Sequence, residues 1–94
     1  MKIRWTRRAL KRLDEIGSYL FQENPEAAGR MVGLIVANVQ ALGDHPAIGR
    51  IGRIAGTREL VVSGTKFVVA YRVVETEIEI LSILHGAQRW PDGL

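Results

Sequence analysis

The pattern of apolar and polar positions predicts two consecutive amphipathic helices near the start of the chain. Residues 2–5 alternate polar and apolar side chains, as a short half-buried strand does, and Thr6 then supplies an N-cap oxygen. Asn24 and Pro25 separate the helices, because they suit a cap and a first helical position. Each helix has one stripe of apolar residues at spacings of three and four, which predicts a buried face. The stripes comprise Ala9, Leu10, Leu13, Ile16 and Leu20 in the first helix, and Ala28, Met31, Ile35, Val39 and Leu42 in the second.

Three strands should follow the helices, at residues 58–62, 66–74 and 77–84, because these ranges are rich in Val and Ile and are separated by short turns. The glycines of residues 47–57 argue against regular structure there and predict a basic, mobile loop. The element order is therefore β-α-α-β-β-β. It predicts an α+β fold with a helical hairpin packed on one face of a small, mostly antiparallel sheet.

The middle strand should present one side to the helices and another, partly open side to solvent, because successive side chains alternate. The helix-facing set comprises Phe67, Val69, Tyr71 and Val73, and the other set comprises Lys66, Val68, Ala70 and Arg72. We refer to the sheet surface that carries the latter set as the second face.

Length and composition predict one domain, residues 1–94, with a single hydrophobic core. The absence of cysteine excludes disulfides, and two well-separated histidines make a poor metal site, so we expect neither a cofactor nor a metal. The apolar stretches fall far short of the ~20 residues that cross a bilayer, and no signal-peptide core follows the basic N-terminus. These features predict a cytoplasmic protein that does not bind membranes.

The net charge of +3 and the pI of about 9.8 predict an acidic partner, which is nucleic acid, a ribosome or an acidic peptide. Cations concentrated near the N-terminus suggest a nucleic-acid footprint, but they alternate with apolar residues, so a solvated helix face is the default interpretation. They are Lys2, Arg4, Arg7, Arg8, Lys11 and Arg12.

Six short motifs occur in a fixed order relative to the predicted elements. They are Trp5-Thr6, Asn24-Pro25, Pro46-x-x-Gly49-Arg50, Gly56-Thr57-Arg58-Glu59-Leu60, Tyr71-Arg72-Val73 and Ile83-Leu84-His85. In this order they cover essentially the whole chain and resemble the RelE/ParE toxins of type II toxin-antitoxin systems, closer to the ParE branch. The resemblance implies a toxin that is neutralised in a hetero-oligomer with a cognate antitoxin, acidic and partly disordered when free. Toxins similar to ParE are associated with blocking DNA gyrase, whereas those similar to RelE cut mRNA on the ribosome.

The middle strand distinguishes these branches. In the ribonuclease branch an arginine usually stands two or three residues ahead of the tyrosine that corresponds to Tyr71, whereas this sequence has Val68 there. Without that cation, a phosphorane lacks a stabilising partner. We therefore favour a gyrase inhibitor without catalytic residues. The alternative is a ribosome-dependent endonuclease that uses Lys66, Arg72 and His85, and a third hypothesis is a non-toxic, basic nucleic-acid-binding module.

Eight residues are candidates for contact with the target or the antitoxin: Arg50, Arg53, Arg58, Lys66, Arg72, His85, Gln88 and Trp90. For several of these residues, a structural role is the alternative to contact with a partner. Arg72 can instead pair with Glu77 or Glu79 of the neighbouring strand. Trp90 either anchors a partner, since aromatic rings bury a large area, or folds back over the sheet.

The remaining candidates also have simple structural interpretations. Arg58 and Glu59 begin a strand on opposite faces, so a structural pair explains both. His85 ends the last strand where some ribonuclease relatives have a general acid or base, but a surface or capping histidine is the simpler interpretation. His45 is interpreted as a turn residue.

Overall fold

The computed structural model describes residues 1–86, 88–91 and 93–94, and in these residues two helices pack on a five-stranded sheet. The elements are β1 (Lys2–Trp5), α1 (Arg7–Glu23), α2 (Pro25–Ala41), β2 (Arg50–Ile51), β3 (Arg58–Val61), β4 (Phe67–Val74) and β5 (Glu77–His85). The strand order is β1-β5-β4-β3-β2, with β1 parallel to β5 and the other pairs antiparallel. The predicted α+β fold is therefore confirmed, with β2 as an addition.

Local capping determines where the helices begin and end. The Thr6 side chain accepts a hydrogen bond from the Ala9 N–H at 3.2 Å, and its hydroxyl donates to the Ile80 carbonyl at 2.7 Å, which ties the start of α1 to β5. The Asn24 side chain accepts from two N–H groups of α2, while its own N–H donates to Leu20 at 2.7 Å. One residue thus ends α1 and begins α2. Neither helix in the described residues has the length and apolar character needed to cross a membrane.

The core lies between the helices and the sheet, and it contains most of the predicted stripes. Ile35, Val39 and Leu42 are completely buried, and Ile16 is 6% exposed. Leu10, however, is 51% exposed, so its assignment to the buried stripe was wrong. It lies about a quarter of a turn from the centre of that stripe, since each helical residue advances ~100°. Leu10 instead lines an open groove of the helical hairpin.

The middle strand differs from its predicted pattern on both sides. Val73 is 41% exposed rather than buried against the helices, because β3 ends its pairing with β4 opposite Tyr71 and leaves Val73 without a neighbour on that side. On the second face, Arg72 is exposed, but Val68 and Ala70 are only 4% and 0% exposed. The side expected to be partly open is therefore open at Lys66 and Arg72 but covered at Val68 and Ala70.

The C-terminal segment, the described residues from Gly86 to Leu94, accounts for this burial. The Gly86 N–H donates to the Lys66 carbonyl at 2.7 Å, which extends the pairing of β5 with β4, and the segment then brings Trp90 against Arg53. Pro91 and Leu94 then lie near Leu84, the register partner of Val68. The segment therefore covers part of the second face.

The segment of residues 47–57 has more regular structure than the glycines predicted. Arg50 and Ile51 pair with β3, so the expectation of an irregular loop was wrong at β2. The reason is close packing around Gly49, where an added Cβ would lie 2.6 Å from the Tyr71 hydroxyl. That hydroxyl accepts from the Gly49 N–H at 2.9 Å and donates to the Pro46 carbonyl at 2.8 Å. Tyr71 thus fixes the start of the segment.

Tyr71→Phe should lower the free energy of unfolding by about 1 to 3 kcal/mol, because the Gly49 N–H and the Pro46 carbonyl would lose their shared partner. Urea denaturation measures the change. Tyr19→Phe is the matched control, since Tyr19 is 66% exposed, and we expect a change within about 0.5 kcal/mol. Equal effects of the two substitutions would contradict this role of Tyr71.

Candidate functional site

The second face carries two buried carboxylates, each bound by two arginines. Glu59 on β3 is 3% exposed and Glu79 on β5 is 7% exposed. The strand register produces both groups, because it aligns Arg50 with Glu59 and places Arg72, Glu79 and Arg4 in one row. The arginine side chains stay between 46% and 55% exposed. The face therefore presents half-exposed guanidinium groups whose positions are set by buried acids. Those groups belong to Arg4, Arg50, Arg53 and Arg72.

Glu59 is surrounded by hydrogen-bond donors. Its Oε1 accepts from Nε and Nη2 of Arg50 at 3.1 and 2.9 Å, and its Oε2 accepts from the backbone N–H and Nε of Arg53 at 2.7 and 3.3 Å. Burial by itself raises the pKa of Glu59, but the hydrogen bonds from Arg53 and Arg50 outweigh it and hold the pKa below its ordinary value of 4.5. Because the folded-state pKa is depressed, the charged carboxylate stabilises the fold above about pH 4.5 and loses that contribution at lower pH.

Arg53 also contacts the C-terminal segment. Its guanidinium carbon lies 3.5 Å from the centroid of the Trp90 ring, which is cation-π geometry. Trp90 is half-buried, and its Nε1 is buried with no hydrogen-bond acceptor among the described residues. This placement agrees with the alternative in which Trp90 folds back over the sheet.

Arg72 makes the structural contact expected for it, whereas Arg58 makes one that was not predicted. Arg72 Nε lies 2.7 Å from Glu79 Oε1, so the cross-strand ion pair is confirmed. Arg4 binds the same carboxylate from β1. Arg58 Nη1 donates to the Gly49 carbonyl at 2.7 Å, and it lies on the face opposite Glu59.

The structure does not bring together the three residues of the ribonuclease alternative. Lys66 is exposed just before β4, and Arg72 lies six residues further along, roughly 20 Å away at ~3.3 Å per residue. His85 pairs with Phe67, whose ring it meets edge to face at 5.7 Å. Phe67 packs against the core on the helix side of the sheet, so His85 lies on that side too. The sheet itself separates His85 from Arg72.

His85 and Gln88 lie together in a groove between α1 and the end of β5. The groove has a volume of about 520 Å³ and an apolar floor that includes Leu20 and Phe67, while Tyr19 and charged side chains form its rim. The Gln88 N–H donates to the His85 carbonyl at 3.0 Å. These two candidates therefore belong to a different surface from Arg50, Arg53 and Trp90.

Three residues that bind partners on the sheet were not predicted from the sequence. Glu59 was interpreted only as a strand-start residue, and Arg4 was grouped with the solvated cations, although both bind partners on the second face. Arg12 was grouped in the same way, but its Nε donates a hydrogen bond to the Ile83 carbonyl of β5 at 3.0 Å. Alternation along β1 and β3 marks Arg4 and Glu59 as residues of one face, but their partners depend on strand register.

Within the described part of the chain, no group of His, Cys, Asp and Glu side chains is arranged to hold a metal ion.

Two known proteins similar to this chain are described as toxins, and a toxin family model matches it. The family model described as the ParE toxin of the type II toxin-antitoxin system parDE matches residues 3–90. A protein of Sinorhizobium fredii described as a toxin, Y4kP, is 48% identical over 93 residues, which cover 99% of this chain and 96% of that protein. Toxin RelE2 of Caulobacter vibrioides is 37% identical over 84 residues, covering 89% of this chain and 93% of that protein.

A solved structure gives the same relationship. The structure described as the chromosomal ParDE toxin-antitoxin system from P. aeruginosa is 34% identical to this chain, with a TM-score of 0.81. The match covers 88% of this chain and 92% of that chain. The predicted resemblance is confirmed, and the ParDE neighbour supports the ParE branch. The chain belongs to the ParE toxin family of type II toxin-antitoxin systems.

Proposed function

We propose that this toxin inhibits DNA gyrase by protein-protein contact and is neutralised by a cognate antitoxin. The observation that carries the proposal is the separation of Lys66, Arg72 and His85, which lie far apart along β4 or on opposite faces of the sheet. Cleavage through a 2′-hydroxyl requires a base, a cation and an acid around one phosphate. These three side chains do not surround one phosphate. The ParDE neighbour, at 34% identity, supports the same branch.

The second face is well suited to contact with another protein. Arg50, Arg53 and Trp90 form one connected surface patch, and arginine and tryptophan are enriched among residues that dominate protein-protein affinity. Because buried Glu59 already holds the two arginines, little side-chain freedom is left to lose on binding. The patch therefore favours a protein partner with acidic groups.

The ribosome-dependent endonuclease is the second candidate function. Toxin RelE2 of Caulobacter vibrioides is 37% identical to this chain, and its name supports that branch. Arg4 and Arg72 also lie side by side on Glu79, where their half-exposed guanidinium groups can reach a phosphate. This candidate requires a general base near Arg72 other than His85.

The damage that expression of the protein causes in cells distinguishes the candidate functions. Expression of the toxin should induce a DNA-damage response and filamentation if gyrase is the target. Rapid translation arrest with codon-positioned mRNA cleavage would instead support the endonuclease, and harmless expression would support the non-toxic nucleic-acid-binding module. Measuring DNA damage and translation in the same culture after induction tests the proposal.

The product of the adjacent gene should co-purify with this protein and abolish its toxicity on co-expression. The reason is that the net charge of +3 and the arginine-rich second face suit an acidic partner, and the similar P. aeruginosa structure is a toxin-antitoxin system. Affinity purification of tagged toxin, at low and high salt, measures the association. Growth arrest that persists despite co-expression, with no protein retained, would contradict the prediction.

A further inference from the structure

The Glu59 carboxylate binds β2 through Arg50 and the loop before β3 through Arg53, and Arg53 in turn contacts the C-terminal segment, which is distant in sequence. We propose that Glu59 is a positioning residue, which fixes the Arg53 guanidinium over Trp90 and thereby orders the C-terminal segment as part of the surface that engages the target. The functional half of this proposal, the role of the C-terminal segment at the target, rests on the proposed inhibition of gyrase. The structural half, the positioning of Arg53 and Trp90 by Glu59, does not.

Arg53 depends on Glu59 twice. One carboxylate oxygen, Oε2, accepts from both the backbone N–H and the side-chain Nε of Arg53, at 2.7 and 3.3 Å. The carboxylate therefore fixes the main chain of residue 53 and the direction of its side chain together. Arg50 occupies the other oxygen through two donors, so both oxygens of the buried acid are used. Charged hydrogen bonds of this kind are stronger than neutral ones.

Trp90 depends in turn on Arg53. Its indole Nε1 has no acceptor in the described residues, so hydrogen bonding does not position the ring. The Arg53 guanidinium stacks on the ring instead, at 3.5 Å from the centroid. Further along, the Gly93 carbonyl receives only a long contact of 3.5 Å from exposed Arg8. The stack on Trp90 therefore restrains this end of the chain together with the packing of Pro91 and Leu94 near Leu84.

Removing the negative charge should release this restraint. In Glu59→Gln the side chain keeps its shape, but its NH₂ group cannot accept hydrogen bonds, so one of the arginines loses its partner. Two neighbouring cations would also face each other without the acid between them. We expect Arg53 to leave the ring and the C-terminal segment to lose its fixed position.

Fluorine NMR of protein labelled with 5-fluorotryptophan tests the structural half directly. The chain has two tryptophans, and Trp90→Phe assigns their resonances. Glu59→Gln and Arg53→Ala should shift the Trp90 resonance towards that of a solvated indole while the Trp5 resonance stays in place. Glu79→Gln is the matched control, because it removes a second buried acid that is bound by two other arginines, Arg4 and Arg72. An unchanged Trp90 resonance in Glu59→Gln would overturn the proposal.

An acid titration of the wild-type protein provides the same test if Glu59→Gln does not fold. The charged groups that face Glu59 are Arg50 of β2 and Arg53 of the loop, while β4 places Ala70 opposite it. The Trp90 resonance should therefore move as Glu59 becomes protonated below pH 4.5, before the Trp5 resonance reports unfolding. Simultaneous movement of both resonances, only at global unfolding, would overturn the proposal.

Inhibition of gyrase supercoiling tests the functional half. Glu59→Gln and Arg53→Ala should each raise the half-inhibitory concentration about tenfold, a change in line with the loss of one well-placed cation-π contact. A displaced Trp90 resonance with unchanged inhibition would overturn the assignment of the C-terminal segment to the target surface. If the wild-type protein does not inhibit gyrase, the proposed function fails, and the fluorine resonances still decide whether Glu59 positions Arg53 and Trp90.

Discussion

Replacing Ile35 by aspartate should prevent cooperative folding. Ile35 is completely buried in the cluster that joins α2 to the sheet, with Val39, Tyr71 and Ile80 among its members. An unpaired carboxylate in such a site costs several kcal/mol, whereas the whole stability of a small domain is only ~5 to 15 kcal/mol. Ile16→Asp should behave in the same way, since Ile16 is 6% exposed on the facing helix.

Circular dichroism and thermal melting measure the effect. The matched control is Leu34→Asp, because Leu34 adjoins Ile35 on the same helix but is 39% exposed. We expect the control to keep a helical spectrum and to melt cooperatively, and Ile35→Asp to do neither. A native spectrum and an unchanged melting temperature for Ile35→Asp would mean that the faces of α2 are assigned incorrectly.

Programmed ribosomes incubated with this protein should keep their mRNA intact. Val68 stands where a related endonuclease is expected to have an arginine, and it is 4% exposed, so it offers nothing to a phosphate. Losing one positioned donor costs roughly 2.7 to 4 kcal/mol of transition-state stabilisation, or two to three powers of ten in rate. Such a loss would make cleavage too slow to be toxic.

The Arg72→Ala variant tests whether another cation of the second face takes the place of the missing arginine. Arg72 shares the second face with Val68, and its side chain is 50% exposed beside Glu79. Primer extension on the mRNA should give the same uncut product with the wild type and with the variant. Cleavage in the ribosomal A site by the wild type, lost in Arg72→Ala, would establish the endonuclease with Arg72 as its transition-state cation.

The sequence predicts those parts of the structure that depend on neighbouring residues. Thr6 and Asn24 cap helices through N–H groups two or three positions away, so residue type and order are sufficient to place them. The sequence also limits the partner of Arg72 to Glu77 or Glu79, and the register of the hairpin selects Glu79. Helix spacing identified Ile16 and Ile35 as buried residues for the same reason.

Contacts between distant segments were not predictable in this way. The Arg53 stack on Trp90 requires the position of the C-terminal segment, and the burial of Val68 and Ala70 follows from that position too. Glu59 resembles any polar residue at the start of a strand until β2 and the loop are placed around it. Charge patterning therefore identified Arg50 and Arg53 as candidates without identifying Glu59, the acid that holds them.

Inhibition of DNA gyrase supercoiling by the purified toxin is the most direct test of the proposed function. Relaxed plasmid, gyrase and ATP are incubated with increasing toxin, with and without the purified antitoxin. We expect supercoiling to fall, or cleavage complexes to accumulate, in proportion to the toxin, and the antitoxin to reverse the effect. Full supercoiling at toxin concentrations well above that of gyrase, with a toxin that still arrests growth in cells, would contradict the proposal.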